Sequence, residues 1–193
     1  MRKRPYVTLD RRFDILFDAL RRVERRRGVL SAAQASQNGF EHILQTEVPL
    51  AFRDALGLHL GRSTQQRGVQ LSQRRKVAGT RVGPVDMLAT GSAGARSLLP
   101  MELSGLRRSA GRAKAVWKIG QDVRKLELLS AHPDFHRGSV MVVGLGFVDT
   151  DCFLDWIEVA AREHPQETGF FGLRDGGCAC VAIIDVLRIS RGR

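Results

Sequence analysis

Cysteine is scarce in this chain. Its three copies, Cys152, Cys178 and Cys180, form no CxxC pair and have no histidine pair beside them. That pattern argues against a zinc site or a disulfide framework and reads as free or buried thiols in a reducing compartment. Long apolar runs are also missing, and none approaches the ~20 residues that a membrane span needs. The basic first ten residues are not followed by the apolar core of a signal peptide, so the cytoplasm is the expected location and no membrane partner is expected. Tyrosine occurs once and tryptophan twice. Of all the aromatic residues only Trp117 falls in the basic part of the chain, where it is read as part of an apolar helix face. No base-stacking platform is therefore expected.

What is present is 193 residues with a hydrophobic fraction of 43%, enough for one globular domain with its own core. Lysine and arginine total 31 against 20 acids, a net charge of +11, and 26 of the cations are arginine. The excess is local. Residues 62–125 hold 14 cations and three acids (Asp86, Glu102 and Asp122), which is 14 − 3 = +11, so the remainder of the chain is neutral. A neutral protein enclosing one strongly basic third favours a polyanionic partner. Nucleic acid ranks ahead of a lipid surface because no amphipathic anchor accompanies the charge.

Residues 9–27 have helical period, with Leu9, Phe13, Leu16, Phe17, Leu20 and Val23 on one face, arginines on the other and Gly28 as a stop. This basic helix, within 1–31, is expected to pack on a single α/β domain over 32–193. Residues 32–60 are also expected to be helical, in two pieces, with Thr46 as N-cap of the second and Pro49 in its first turn. Phe52, Ala55, Leu56 and Leu60 would form its buried stripe. Strands are expected at 69–77, 85–89 and 98–103, separated by short glycine-containing turns. A helix at 109–130, with Ala113, Val116, Trp117, Ile119, Val123, Leu126 and Leu129 apolar, leads to a buried strand at 139–147. A helix at 150–163, a loop and a last strand at 179–189 complete the chain. Turns that short exclude parallel crossovers, so the first three strands should form an antiparallel meander. The helix at 109–130 is long enough to reach a parallel strand. The expected fold is a mixed sheet flanked by helices.

Asp86 and Glu102 are the only acids between Asp54 and Asp122. Each lies in an otherwise apolar strand, where an unpaired carboxylate is costly. Two such groups on neighbouring strands of a cationic segment suit a shared divalent metal with oxygen ligands, Mg²⁺ or Mn²⁺. The alternative is that both pair with local arginines. The Val-Val-Gly-Leu-Gly-Phe run at 142–147 lacks the third glycine of a dinucleotide fingerprint and reads as an ordinary strand-to-helix turn. His132 and His136 straddle Pro133 and read as loop residues, and no GxSxG elbow is present.

The order helix, three strands, helix, strand, with Gly-Pro-Val-Asp-Met-Leu at 83–88, Pro-Met-Glu-Leu-Ser at 100–104 and Ile-Gly-Gln-Asp-Val-Arg-Lys-Leu at 119–126, resembles the PD-(D/E)XK nuclease superfamily over about residues 41–147. The resemblance implies a restriction-endonuclease-like core and Mg²⁺- or Mn²⁺-dependent hydrolysis of DNA, ahead of RNA. It assigns Asp86, Glu102 and the Leu103 carbonyl as metal ligands. A glutamate of the first core helix completes many such sites, and Glu47 is preferred here over Glu41. Ser104 stands where the family carries its lysine. The resemblance allows that lysine to come from the following helix, where Lys118 and Lys125 share a face and Lys118 is the first choice. Arg74, Arg75, Lys76, Arg107, Arg108, Arg112 and Lys114 are the cations expected to meet nucleic acid. Loss of the lysine also leaves open a non-catalytic nucleic-acid- or protein-binding module. A symmetric dimer would suit double-strand cleavage.

Overall fold

The computed structural model describes residues 8–35, 40–56, 59–61, 76–77, 80–81, 85–90, 98–130 and 137–187. Helix α1 (Leu9–Arg27) begins at Thr8, whose hydroxyl accepts from the Arg11 amide, and ends at Gly28 in the left-handed conformation (φ 59°). Helices α2 (Val29–Ala35) and α3 (Glu41–Leu56) follow. The expected break at Thr46 does not occur, because α3 runs straight through Pro49. Proline inside a helix costs about 3 kcal/mol, but Leu44, Val48 and Phe52 of the same helix are fully buried. Each contributes roughly 1.5–3 kcal/mol, so packing carries the helix past the proline. Of the expected stripe, Ala55 is exposed.

The strands are β1 (His59–Gly61), β2 (Lys76–Val77), β3 (Thr80–Arg81), β4 (Met87–Thr90), β5 (Leu98–Arg107), β6 (Arg137–Leu145), β7 (Gln166–Gly172) and β8 (Cys178–Leu187). A 3-10 turn (Arg108–Ala110) and helix α4 (Arg112–Ser130) link β5 to β6, and α5 (Thr150–Ala161) links β6 to β7. Six strands form one mixed sheet in the order β1-β4-β5-β6-β8-β7, while β2 and β3 form a separate small ribbon. Only the β5–β6 pair is parallel, joined by the α4 crossover as its length predicts; the other pairs are antiparallel. Three strands depart from expectation. β1 begins where helix is expected, β3 falls in the expected turn between 77 and 85, and β7 occupies the expected loop. Most of the strand expected at 69–77 lies outside the described residues. Helices α1, α2 and α3 cover one face of the sheet, and α4 and α5 cover the other.

Alternation along the strands distributes side chains between these layers. Met141, Val143 and Leu145 of β6 face α1–α3, and Val140 and Val142 face α4 and α5. Across the layer, Arg12 of α1 is fully buried, with its guanidinium 2.8 Å from Asp185 of β8 and bonded to the Ser139 hydroxyl of β6. Arg137 reaches the other Asp185 oxygen at 3.1 Å. Past β6, Gly146 adopts φ 77°, and the Asp149 carboxylate accepts from the Asp151 amide as N-cap of α5. The GxG run is thus a strand-to-helix turn.

Helix α4 corrects one expectation. Its buried residues are Ala115, Ile119, Val123, Leu126, Leu129 and Ser130, a stripe with helical period. Trp117 lies two residues from Ile119, about 160° away round the axis at 3.6 residues per turn, and is 66% exposed. Ala113 is exposed as well.

Candidate functional site

The site grows from an irregularity in the layer under α4. In the β5–β6 register Glu102 is opposite Val140 and Ser104 is opposite Val142. Two slots whose neighbours are valines therefore carry a carboxyl and a hydroxyl, and both are buried. A buried polar group without a partner costs several kcal/mol. Here α4 supplies the partners. Ser104 donates to the Asp122 carboxylate at 2.6 Å, and the Lys125 ammonium lies 2.6 Å from Glu102. Helix α4 runs back along β5, so Asp122 meets the later strand residue and Lys125 the earlier one.

Asp86 stands just ahead of β4. One of its oxygens accepts from the Leu103 amide at 2.8 Å and the other from Gln45 of α3 at 3.4 Å. In an antiparallel ladder the N–H and C=O of one strand residue face the same neighbour, so the Leu103 carbonyl lies on the side of β5 that Asp86 occupies. Burial pushes the Glu102 carboxyl up to about 8, against the opposing pull of Lys125 and with the charges of Asp86 and Asp122 adding to the rise. Burial raises Asp122 in the same way, partly offset by the Ser104 hydrogen bond and by Lys125 and Lys118. Asp86, Glu102 and Asp122 thus form one electrostatic cluster with Lys125 inside it.

Further along β5, Lys118 contacts the Glu41 carboxylate and lies 3.4 Å from the Gly105 carbonyl. Glu41 also accepts from the Gly105 amide at 3.2 Å. Burial lowers the Lys118 pKa, and the charge of Asp122 opposes that fall. Gly105 lies close under α3, since a Cβ there would stand 3.0 Å from Glu41 Cγ and 3.2 Å from Phe40. A cleft of about 440 Å³ opens at this end of β5, with Glu41, Arg107, Lys114 and Lys118 in its wall.

The residues singled out in the sequence fall into three groups. Asp86 accepts from the Leu103 amide next to Glu102, and Lys125 is the cation at Glu102, while Lys118 is held by Glu41 and Gly105. Glu47 lies elsewhere on α3, 3.5 Å from exposed Arg27; Glu41 and Gln45, one turn apart, are the α3 residues that meet the site. Among the expected nucleic-acid contacts, Arg107 donates to the Ala33 and Gln34 carbonyls at the end of α2. Arg108 lies over the Trp156 ring at 5.3 Å. Arg112 grips Asp155 with two hydrogen bonds, at 2.6 and 3.1 Å. Lys114 is exposed in the cleft wall, Lys76 is in β2, and Arg74 and Arg75 lie outside the described residues.

The sequence pattern does not single out Asp122 or Gln45, which the fold brings to the site. The spacing of Lys118, Asp122 and Lys125 is its available signal, since i, i+4 and i+7 place all three on one helix face.

The donor set that Asp86, Glu102 and the Leu103 carbonyl present is all oxygen and carries two carboxylates. It fits a hard cation such as Mg²⁺, which keeps several waters and takes one or two protein carboxylates. Among the described residues, no three acidic, histidine or cysteine side chains form a group that could hold a metal ion. No helix among them is long and apolar enough to cross a membrane. Comparison with protein-family profiles, with curated proteins and with solved structures finds no match to this chain.

Proposed function

We propose that this chain is a Mg²⁺-dependent nuclease of the PD-(D/E)XK type acting on DNA. One observation carries the reading. The succession α3, β1, β4, β5, α4, β6 sets Asp86 at the second sheet strand and Glu102 on the third, and α4 brings Lys125 to within 2.6 Å of Glu102. Ser104 stands where the resembling family has its lysine, and Lys125 of the next helix supplies an ammonium two residues back along β5, against Glu102. In this reading Asp86 and Glu102 hold the cation, with the Leu103 carbonyl as a further oxygen ligand. When bound, Mg²⁺ polarises the scissile phosphate and lowers the pKa of an attacking water.

The protein's own groups do the rest. Gln45 and the Leu103 amide fix the Asp86 carboxylate, and the Ser104–Asp122 hydrogen bond fixes the floor of the site. Lys125 is already desolvated against the carboxyl it would leave. Turned toward the phosphate, it stabilises the negative charge that develops there, worth far more in a water-poor site than in bulk.

A second reading is favoured by the same ion pair. A lysine against Glu102, with no group of three acidic, histidine or cysteine side chains placed to hold a metal among the described residues, also describes a nuclease fold that binds nucleic acid without cutting it.

Incubation of the purified chain with plasmid and with single-stranded DNA, in Mg²⁺ and in EDTA, separates the two. The nuclease reading expects metal-dependent scission that Glu102→Gln abolishes. Scission that persists in Glu102→Gln overturns it. Intact, salt-sensitive DNA binding without scission favours the binding protein.

A further inference from the structure

The chain has two tryptophans, and their surroundings differ sharply. Trp156 is 1% exposed, edge-on to Phe147 at 5.0 Å. Trp117 is 66% exposed on the middle of α4. A solvent-facing helix position gains nothing from an indole, whose large apolar surface is worth burying. Its neighbours one turn away on the helix, Ala113, Lys114, Gly120 and Gln121, are small, polar or cationic. Lys114 and Gln121 lie one turn to either side, and Arg124 lies two turns on; all three are exposed. On a helical net Trp117 is about 60° round from Lys114 and about 20° from Arg124. Of the two acids on α4, Asp122 is engaged with Ser104 and Glu127 lies 3.0 Å from His164. Lys114 and Lys118 line the 440 Å³ cleft, so Trp117 stands on its outer shoulder. Lys125, beside Glu102, lies about 12 Å further along the same helix, at 1.5 Å per residue.

We propose that Trp117 is a stacking platform for an unpaired base of single-stranded nucleic acid, with Lys114 and Arg124 as the phosphate contacts on either side. An aromatic face between cations is the arrangement that holds a single strand without reading its sequence. Charge complementarity selects this occupant, because residues 112–125 of α4, which carry Trp117, Lys114 and Arg124, lie within the segment that holds the +11 excess. A protein partner fits less well. Docking patches need several hundred Å² of contiguous apolar surface, whereas the exposed apolar residues on this side of α4 are Trp117 and Ala113. The other large exposed apolar residues, Leu50, Val148, Val159 and Phe170, belong to different elements. A paired duplex hides its base faces, so the platform favours single strands or frayed ends. The assignment rests on the nucleic-acid part of the proposed function and names the strandedness of its substrate. It does not require cleavage.

Titration with a fluorescein-labelled thymidine oligonucleotide, in EDTA and low salt, tests it by anisotropy, with tryptophan emission followed on unlabelled oligonucleotide. The wild type is expected to bind with saturable quenching of tryptophan emission. In Trp117→Phe, which retains an aromatic face, most of the affinity remains and the quenching disappears. In Trp117→Ala the affinity falls roughly tenfold or more, while the salt slope and the affinity for blunt duplex stay unchanged. Equal oligonucleotide affinity in Trp117→Ala overturns the proposal, as does binding without quenching in the wild type, or no oligonucleotide binding at all. Because metal is absent throughout, a chain that binds this way but never cuts refutes the nuclease reading and leaves the platform standing.

Discussion

Glu102 gives the stability of this protein an inverted pH dependence. Its carboxyl is 3% exposed and burial pushes it up to about 8, whereas a glutamate in an unfolded chain titrates near 4.3. Between those values the folded chain keeps a proton that the unfolded chain releases. The contribution is therefore complete below the unfolded value, is lost as the pH rises, and is exhausted above about 8. One proton gives a slope of about 1.4 kcal/mol per pH unit, which over roughly 3.5 units integrates to about 5 kcal/mol. Urea unfolding of the wild type and of Glu102→Gln, from about pH 5 to about pH 9, measures it. Glutamine keeps the shape and cannot titrate. Asp122, raised in the same direction, is present in both proteins, so their difference isolates Glu102. The wild type should lose several kcal/mol relative to the variant across this range. Parallel curves, or a wild type that gains on the variant as the pH rises, would show that Lys125 keeps the carboxylate ionised throughout and refute the reasoning.

Three further outcomes follow from contacts elsewhere. Arg12→Met removes a fully buried guanidinium from Asp185; with Arg137 still on that carboxylate, the loss falls at the lower end of the range for broken buried pairs, about 3 kcal/mol by urea denaturation. Gly144→Ala would place a Cβ 2.7 Å from Phe153 and 2.9 Å from Phe147, so overpacking lowers stability by about 1–3 kcal/mol, visible as a lower Tm. Under the proposed function, Lys125→Met slows DNA scission by about a hundredfold or more and Lys118→Met by far less; the reverse order in a single-turnover assay would return the role to Lys118.

The long, strongly periodic parts of the fold are legible in the amino-acid sequence itself. α1, α4, α5, β6 and β8 announce themselves through apolar spacing, and the short turns dictate the antiparallel pairing of β4 with β5. Three departures have physical causes. Pro49 favours a first turn, yet the burial of Leu44, Val48 and Phe52 outweighs its cost inside α3. β7 carries Phe170, Phe171 and two glycines with no clean alternation, and as the edge strand at β8 its burial is too slight to impose one. The chemistry of Trp117 suits an apolar face, although its phase against Ile119 and Val123 puts it outside. At the site, the isolation of Asp86 and Glu102 in the sequence singles out two acids whose charges interact in the fold. The choice between Lys118 and Lys125 needs the register of α4 against β5, which spacing alone leaves undetermined. The same holds for Glu41 and Glu47, six residues apart on one helix and so on different faces.

The central claim is that Asp86 and Glu102 share one divalent cation. Mn²⁺ titration followed by electron paramagnetic resonance, on the wild type, Asp86→Asn and Glu102→Gln, addresses it without reference to substrate. The account predicts one bound Mn²⁺ in the wild type, with affinity rising about tenfold per pH unit until Glu102 has lost its proton, and no such site in either variant. Binding that both substitutions leave intact, or a folded wild type that takes up no Mn²⁺ even above pH 8, would contradict it.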